Sequence, residues 1–547
     1  MAFDETFDAI VVGSGGGVCA AVTLADAGKS VVVLEQSDLL GGSTAMSGGL
    51  MWIPDNPLAK RAGLDDSLVS GRAYMNARIG DVGPASSELR REAYLNAGPR
   101  MLSLLEGLGV KFLLAPKWPD YNGEMPGAVQ GGRSLGAEIY DTKKLGEWGP
   151  RLRRSPYTSL AVRCTEAALV GITFRSAGAF LTLLRILARN QLGKVMSRHL
   201  VGMGSALQGR MIEVALRQKV DFRVNCRVTD ILMENGRAVG VVADQQGRTI
   251  RFGAKDGVIL NPGGFSRNAE MRRKYQPQPS SDKWTIANPG GENGGLIMAA
   301  MRIGAKTDLM DEAVWQLMSV LPDGLGVPHN TDVGKPHCIV VNQAGERFCN
   351  EAQSYVDTGH DQYSKGSVPA WAVMDSQFKN RYFWGVFPPG KPSAEWVSKG
   401  YMKRADSLAD LARQCSIDPQ SLQATVSRFN QFVDRGVDQD FHRGERAFDR
   451  YWGDPTNRPN PCLGKVEKAP YYAVALYPGD VGTWGGVLAN ENAQVVLENG
   501  DVVPNLYAIG NGSAGVMGRS YPGAGASVGA SYVFGYIAAN HLARRNT

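Results

Sequence analysis

The chain has 547 residues and a mass of 58.8 kDa, with 59 Lys and Arg against 53 Asp and Glu, a net charge of +6. That length asks for two domains or three. With 43% hydrophobic and 20% charged residues, disorder is excluded as the main theme, and no Lys/Arg run resembles a nucleic-acid arm.

Glycine is over-represented, 67 residues or about 12% against roughly 7% in average proteins. Glycine costs backbone entropy, so the excess must serve tight turns or close backbone approach to a ligand. The seven cysteines (19, 164, 226, 338, 349, 415 and 462) are scattered, with no C-x-x-C pair, and the six histidines show no ligand spacing. That pattern argues against a disulfide framework or a zinc site and for a reducing compartment. No basic-then-apolar leader opens the chain, and no stretch of about 18 residues is both apolar and uncharged. The expected location is cytoplasmic.

Residues 7–35 read as strand, turn, helix, strand and terminal acid. Phe7 to Val12 is an apolar strand, Gly13-Ser14-Gly15-Gly16-Gly17 the turn, Val18 to Ala27 a small apolar helix, and Ser30 to Leu34 the second strand, closed by Glu35. Glycines let the backbone approach a pyrophosphate, whose charge then faces the helix N-terminus. Glu35, 22 residues after Gly13, is placed to accept from ribose hydroxyls. Val18 stands where a sixth-position Gly or Ala is usual. The next loop, Gly41-Gly42-Ser43-Thr44-Ala45-Met46-Ser47-Gly48-Gly49, offers small side chains and hydroxyls to a planar cofactor, and apolar Leu50 to Pro54 behind it predicts that it is packed.

Segment 167–212 has no acidic residue but carries Arg175, Arg185, Arg189, Lys194, Arg198 and Arg210 around the apolar run Ala177 to Ile186. An apolar face with cationic edges suits an anionic membrane surface, while a core-packed helix with solvated arginines, or an oligomer contact, is the alternative. From 220 to 264 three strand-like stretches, Val220–Met233, Arg237–Asp244 and Thr249–Phe252, precede a fourth, Gly257–Leu260, which ends in Asn261-Pro262-Gly263-Gly264. Asn505 to Asn511 is a further strand entering a ligand-type loop, and 526–543 reads as a closing helix.

These segments resemble, over essentially the whole chain, the flavoprotein superfamily of fumarate reductases and succinate dehydrogenases. The resemblance implies an α/β chain: a Rossmann-like FAD-binding domain of the glutathione-reductase type in two parts, 1–310 and 471–547, around an inserted α+β catalytic domain, 311–470. It implies FAD contacts at Gly13, Ser14, Gly15, Gly16, Gly17, Glu35, Gly41, Gly42, Ser43, Thr44, Ser47, Gly48, Gly49, Gly263, Gly264, Gly510 and Asn511. No histidine lies in the 41–49 loop where covalent relatives attach flavin, so non-covalent FAD is expected. No second glycine fingerprint is present for a nicotinamide, which points to a quinone or dye as electron acceptor. Relatives often carry Asp where Leu296 stands, so no polar role is assigned there.

The branch is decided near the C-terminus. Dicarboxylate reductases carry His and Arg where this chain has Met517 and Tyr521, and a carboxylate needs fixed cationic donors; only Arg519 is near. Three motifs instead resemble the 3-ketosteroid Δ1-dehydrogenases: Trp118-Pro119-Asp120-Tyr121; Glu346-Arg347-Phe348 followed by Ser354-Tyr355; and Tyr521-Pro522-Gly523-Ala524-Gly525. The resemblance implies that Tyr355 is the base for the C2 proton and Tyr121 its hydrogen-bonded relay. It implies that Tyr521 and the Gly525 N–H polarise the ketone. The substrate is then an apolar steroid ketone. A smaller cyclic ketone, a Δ4-(5α) reaction, a fumarate-reductase-like ene reduction and a non-catalytic scaffold are the alternatives. Met51, Trp52 and Trp118 are pocket candidates by position, and His442 reads as structural.

Overall fold

The computed structural model describes residues 2–157, 159–390 and 392–544. Strand β1 (Glu5–Val12) is buried from Ala9 onward, as a parallel strand covered on both faces must be. It turns at Gly13, whose φ of 96° lies in the left-handed region; a Cβ there would stand 2.1 Å from the Asn261 carbonyl oxygen. Helix α1 (Gly17–Asp26) is buried from Gly17 to Leu24 and leads into β2 (Val31–Leu34). The following small-residue loop contains a short helix, α2 (Gly42–Met46). Helix α3 (Ala177–Val195) lies in the basic segment. Then come β3 (Asp221–Arg223), β4 (Cys226–Glu234), β5 (Arg237–Gln245) and β6 (Arg248–Leu260).

The two strands expected at 249–252 and 257–260 are one 13-residue strand, β6. Its first half pairs antiparallel with β5 and its second half parallel with β1. A register shift between Phe7 and Ala9 of β1 takes up the slack, so the ladder is not broken.

The second sheet is antiparallel. It orders β8 (Gly326–Pro328), β7 (Ala313–Val320), β12 (Tyr471–Thr483), β10 (Ala370–Met374) and β9 (Cys338–Val341), with β11 (Met402–Ala405) also on β12. This sheet therefore continues to Thr483, past the expected domain limit at 470. Between its strands lie α4 (Tyr355–Ser364) and α5 (Ala447–Trp452).

The chain then returns to the first sheet through β13 (Gln494–Val496) and β14 (Val502–Ala508), giving the order β13-β14-β6-β1-β2-β3. The last helix, α6 (Ala526–Leu542), is apolar almost all round and correspondingly buried against α1. A Cβ at Gly16 would stand 1.9 Å from Ser531 Oγ of α6. The glycine turn thus serves this helix crossing as well as the ligand side. The seven cysteines are buried and unpaired. No helix of the described residues is long and apolar enough to cross a membrane.

Candidate active site

A cavity of about 460 Å³ runs along the C-terminal ends of β1, β2 and β6, where ligands of open α/β sheets bind. Gly13, Ser14, Gly15, Gly16, Glu35, Gly42, Ser43, Thr44, Ser47, Gly263 and Asn511 line it. Glu35 accepts from Ser14 N (3.1 Å) and Ser14 Oγ (2.6 Å), and Ser14 Oγ accepts from Gly41 N (2.8 Å). The acid is thereby fixed at the cavity wall with acceptor capacity to spare. With its amide oxygen turned to the helix, Asn261 accepts from Gly17 N (2.7 Å) and Gly16 N (3.2 Å). Those two amides are satisfied by the protein itself.

Gly17, Gly41, Gly48, Gly49, Gly264 and Gly510 are not in the cavity lining. Most of them serve packing. A Cβ at Gly49 would stand 2.4 Å from Gly204 N, at Gly264 1.9 Å from Thr483 Oγ1, and at Gly510 2.3 Å from Asn261 Oδ1. At Gly48 a Cβ would meet only Leu50 Cδ1, at 4.0 Å, and nothing in the structure explains that glycine. Gln36, Asn288, Glu292 and Ser531 are among the lining residues that sequence reasoning missed. The signal for Glu292 is an acid inside the glycine-rich loop 290–295. Leu296 itself is buried and apolar in the wall.

The residues present fit FAD. The cavity is elongated by its lining from Glu35 to Tyr521, offers an acid and hydroxyls for sugar hydroxyls, and reaches an apolar side formed by Val481, Val528 and Tyr521.

Tyr521 brings the three tyrosines of the sequence motifs to this cavity. The Tyr121 and Tyr355 hydroxyls are 3.3 Å apart. Ring centroids are 5.5 Å apart for Tyr121–Tyr355, 5.8 Å for Tyr121–Tyr521 and 5.3 Å for Tyr355–Tyr521. The loops that carry them are tied together. Tyr121 N donates to Pro522 O (3.0 Å), as does the Tyr74 hydroxyl (2.8 Å), which also accepts from Asn122 N (3.2 Å). Tyr355 opens α4 directly after the Ser354 N-cap, and Arg78 holds Asp357 of the same turn. Phe448 of α5 packs 4.1 Å from the Tyr121 ring. Gly525, at φ 95°, admits no side chain: its Cβ would meet the Leu50 carbonyl at 2.3 Å. The amide two residues on, Ser527 N, lies 3.5 Å from the Tyr521 hydroxyl.

Burial pushes the Tyr121 and Tyr355 hydroxyls well above the ordinary tyrosine range. It raises Tyr521 as well, opposed by the Tyr355 hydroxyl and the amides of Ser527 and Gly525. Behind Tyr121, Asp120 accepts from Trp52 Nε1 (2.7 Å), Arg133 Nη1 (2.7 Å) and Val129 N (3.1 Å). Burial lifts its carboxyl to about 6 although Arg133 opposes this. Trp52 and Met51 are fully buried, Trp52 behind the 521–525 loop, where a Gly523 Cβ would touch it at 2.3 Å. Trp118 instead joins Tyr451 and Trp452 of α5, with centroids at 5.3 and 5.2 Å.

One family model, described as an FAD binding domain, matches residues 8–528. A 3-oxosteroid 1-dehydrogenase of Mycolicibacterium smegmatis is 38% identical over 98% of this chain and 97% of its own. One of Mycobacterium tuberculosis is 39% identical, covering 98% of each. The crystal structure of 3-ketosteroid Δ1-dehydrogenase from Sterolibacterium denitrificans, in complex with 1,4-androstadiene-3,17-dione, superimposes with a TM-score of 0.94. It is 35% identical and covers 99% of this chain and 100% of that one. The chain belongs to the 3-ketosteroid Δ1-dehydrogenase family. FAD is its cofactor.

Within this dehydrogenase family member, two other constellations find structural explanations. Arg519, the cation nearest the dicarboxylate positions, is held by Asp311 (2.9 Å) and Glu312 (3.2 Å), and Met517 is fully buried, so neither offers a carboxylate grip. Ser319 Oγ lies 2.7 Å from His329 Nε2, and His329 Nδ1 2.8 Å from Asp332, in the order of a hydrolytic triad. All three are buried, and Ser319 is also bonded to the Tyr401 hydroxyl at 2.8 Å. The hydroxyl is thus enclosed, and the set is a buried core network. His442 is exposed and pairs with Glu445 at 3.1 Å, as a surface residue.

Proposed function

We propose that this enzyme desaturates the C1–C2 bond of a 3-ketosteroid. The convergence of three tyrosines at the end of the FAD cavity, beside Gly525, carries this reading. The Tyr521 hydroxyl and the Gly525 N–H donate to the ketone oxygen and stabilise the enolate that develops when C2 loses its proton. Tyr355 takes that proton on its phenolic oxygen. Tyr121 shares a hydrogen bond with Tyr355 and disperses the charge that the base carries before it reacts. Bound FAD would supply the acceptor for the hydride that leaves C1 with its electron pair, so that C1=C2 forms as a proton from C2 and a hydride from C1 leave the steroid, two electrons and two protons in all. A tyrosine site beside Phe448 and the Trp118 cluster suits an apolar substrate, because it holds no carboxylate or cation that would need a charged partner on the ligand. The catalytic unit is taken as 311–470 extended by β12.

Anaerobic titration of the yellow protein with androst-4-ene-3,17-dione tests this. Bleaching of the flavin band with formation of the 1,4-diene is expected. Bleaching only by a simple cyclohexanone, or only by a 5α-saturated ketosteroid, would move the substrate; no bleaching by any of them would sink the tyrosine chemistry.

The peripheral-membrane part of the reading rests on α3. Its face carries Phe180, Leu181, Leu184, Leu187, Leu192 and Val195 exposed by 40–82%, continued by Phe174 and Met196. Ala179, Thr182, Ile186 and Gly193 face inward. Of the segment's cations, Arg175 is bound to Asp454 and Arg189 to Glu166, whereas Arg185, Lys194 and Arg198 are exposed beside the apolar face. This enzyme lies on an anionic bilayer through that face, where sterol-like substrates partition and where a lipid-soluble quinone can reoxidise the flavin. Wild-type protein is expected to sediment with phosphatidylglycerol vesicles in a salt-sensitive manner. Leu184→Asp with Leu192→Asp should weaken this at least about tenfold, each exposed leucine losing roughly 1–2 kcal/mol of apolar burial, with turnover of dissolved steroid unchanged. Equal sedimentation of both proteins would remove α3 from the membrane contact.

A further inference from the structure

Glu292 is the one acid of the cavity wall that no sequence motif assigns. Its side chain is 4% exposed and lines the cavity. Its Oε1 accepts from Ser43 Oγ at 2.7 Å, Ser43 Oγ accepts in turn from Asn288 N at 3.0 Å, and Glu292 Oε2 accepts from Gly264 N. Two loops of the cofactor site thus meet on one carboxylate. A carboxylate has roughly four acceptor positions, and these bonds fill two. Its backbone φ is 59°, a left-handed conformation that a residue with a Cβ adopts at a cost. An asparagine or glycine would sit there more easily, and the flanking loop is otherwise glycine-rich. Burial pushes the carboxyl's pKa up, as does Asp480, against the bonds from Ser43 and Gly264 and the charge of Arg267. Strain and desolvation at a cavity wall are offset when a ligand donates to the free lone pairs.

We infer that Glu292 binds the cofactor through a hydroxyl of the ribityl chain. The phosphates of FAD offer only acceptors and repel a carboxylate. Glu35 holds the position for the adenosine ribose, and Tyr521 marks the end of the cavity where the ring must meet substrate. The ribityl hydroxyls are the donors left between them, and Ser43 keeps the carboxylate turned to the cavity. This inference rests on FAD as the cofactor and is independent of which ketone is oxidised.

The test is a binding cycle on apoprotein prepared from the holoenzyme, titrated with FAD and with FAD analogues that each lack one ribityl hydroxyl. Glu292→Leu is expected to raise the FAD dissociation constant about 10–100-fold, the range for a hydrogen bond to a charged group. One analogue should bind the wild type with a similar loss and bind Glu292→Leu with little further loss. Glu292→Gln keeps the size and one acceptor oxygen, and should fall between. Melting of the three apoproteins within a few degrees of one another separates lost contact from lost fold; if Glu292→Leu melts early, the cycle is read on Glu292→Gln. Unchanged FAD affinity in the folded variants, or losses that simply add for every analogue, would overturn the assignment. Failure of wild-type apoprotein to take up FAD at all would instead strike the cofactor reading.

Discussion

Tyr355→Phe is expected to lower kcat for the steroid about 10²–10⁴-fold, the usual range for loss of a general base, with FAD still bound. Phenylalanine keeps the ring that packs between Tyr121 and Tyr521 and removes only the oxygen 3.3 Å from the Tyr121 hydroxyl. The cavity lining includes Tyr521 but not Tyr355, so the cofactor contacts are untouched. The pH profile sharpens the test. Burial, then the neighbouring Tyr121 and Tyr521, hold the Tyr355 hydroxyl well above the ordinary tyrosine range. The ionised base is therefore scarce at neutral pH and increases about tenfold per pH unit as pH rises. Wild-type single-turnover flavin reduction should climb with pH through the alkaline range until the fold itself fails. The Phe variant's residual rate should be flat there. Exchange of the steroid C2 hydrogen with deuterium from solvent should disappear with the hydroxyl. A variant that keeps exchange and the alkaline rise would move the base elsewhere.

Tyr521→Phe is expected to reduce the rate of flavin reduction about 10²–10³-fold, the cost of one preorganised donor to a developing oxyanion. The donor is rigidly placed. Pro522, the next residue, accepts from both Tyr121 N and Tyr74, and Ser520 Oγ donates to the Arg78 carbonyl at 2.8 Å. The Gly525 amide remains in the variant and should account for residual activity. Unlike the Tyr355 variant, this one should retain the alkaline rise, because the base is intact, so the two roles separate in one set of rate measurements. A rate within threefold of the wild type would reject Tyr521 as the ketone donor.

Sequence by itself determined the local chemistry. The alternation of apolar strand, glycine turn and small-residue helix from Phe7 to Ala27 dictates β1, Gly13 and α1. These depend on neighbours in the chain: an apolar run must be covered, and a left-handed turn takes glycine. The order of the three tyrosine motifs likewise carried the family resemblance. What tertiary structure decided are the non-local meetings. Tyr121 and Tyr355 are 234 positions apart and meet because the Tyr121 loop docks on Pro522 while Arg78 holds Asp357 of the helix that Tyr355 opens, contacts no periodicity encodes. The strand 471–483 reads the same in either sheet, and its pairing with β7 and β10 assigns it to the second. In the basic segment the sequence shows six cations alike. Only the fold divides Arg175 and Arg189, neutralised by Asp454 and Glu166, and Arg210, bonded to the Glu138 and Ile139 carbonyls, from the three exposed beside the apolar face of α3. Glu292 is one acid among 53 until Ser43 and Gly264, from distant loops, turn it to the cavity wall. Backbone propensity acts over a few residues, whereas desolvation and pairing of charge depend on what the whole chain brings alongside.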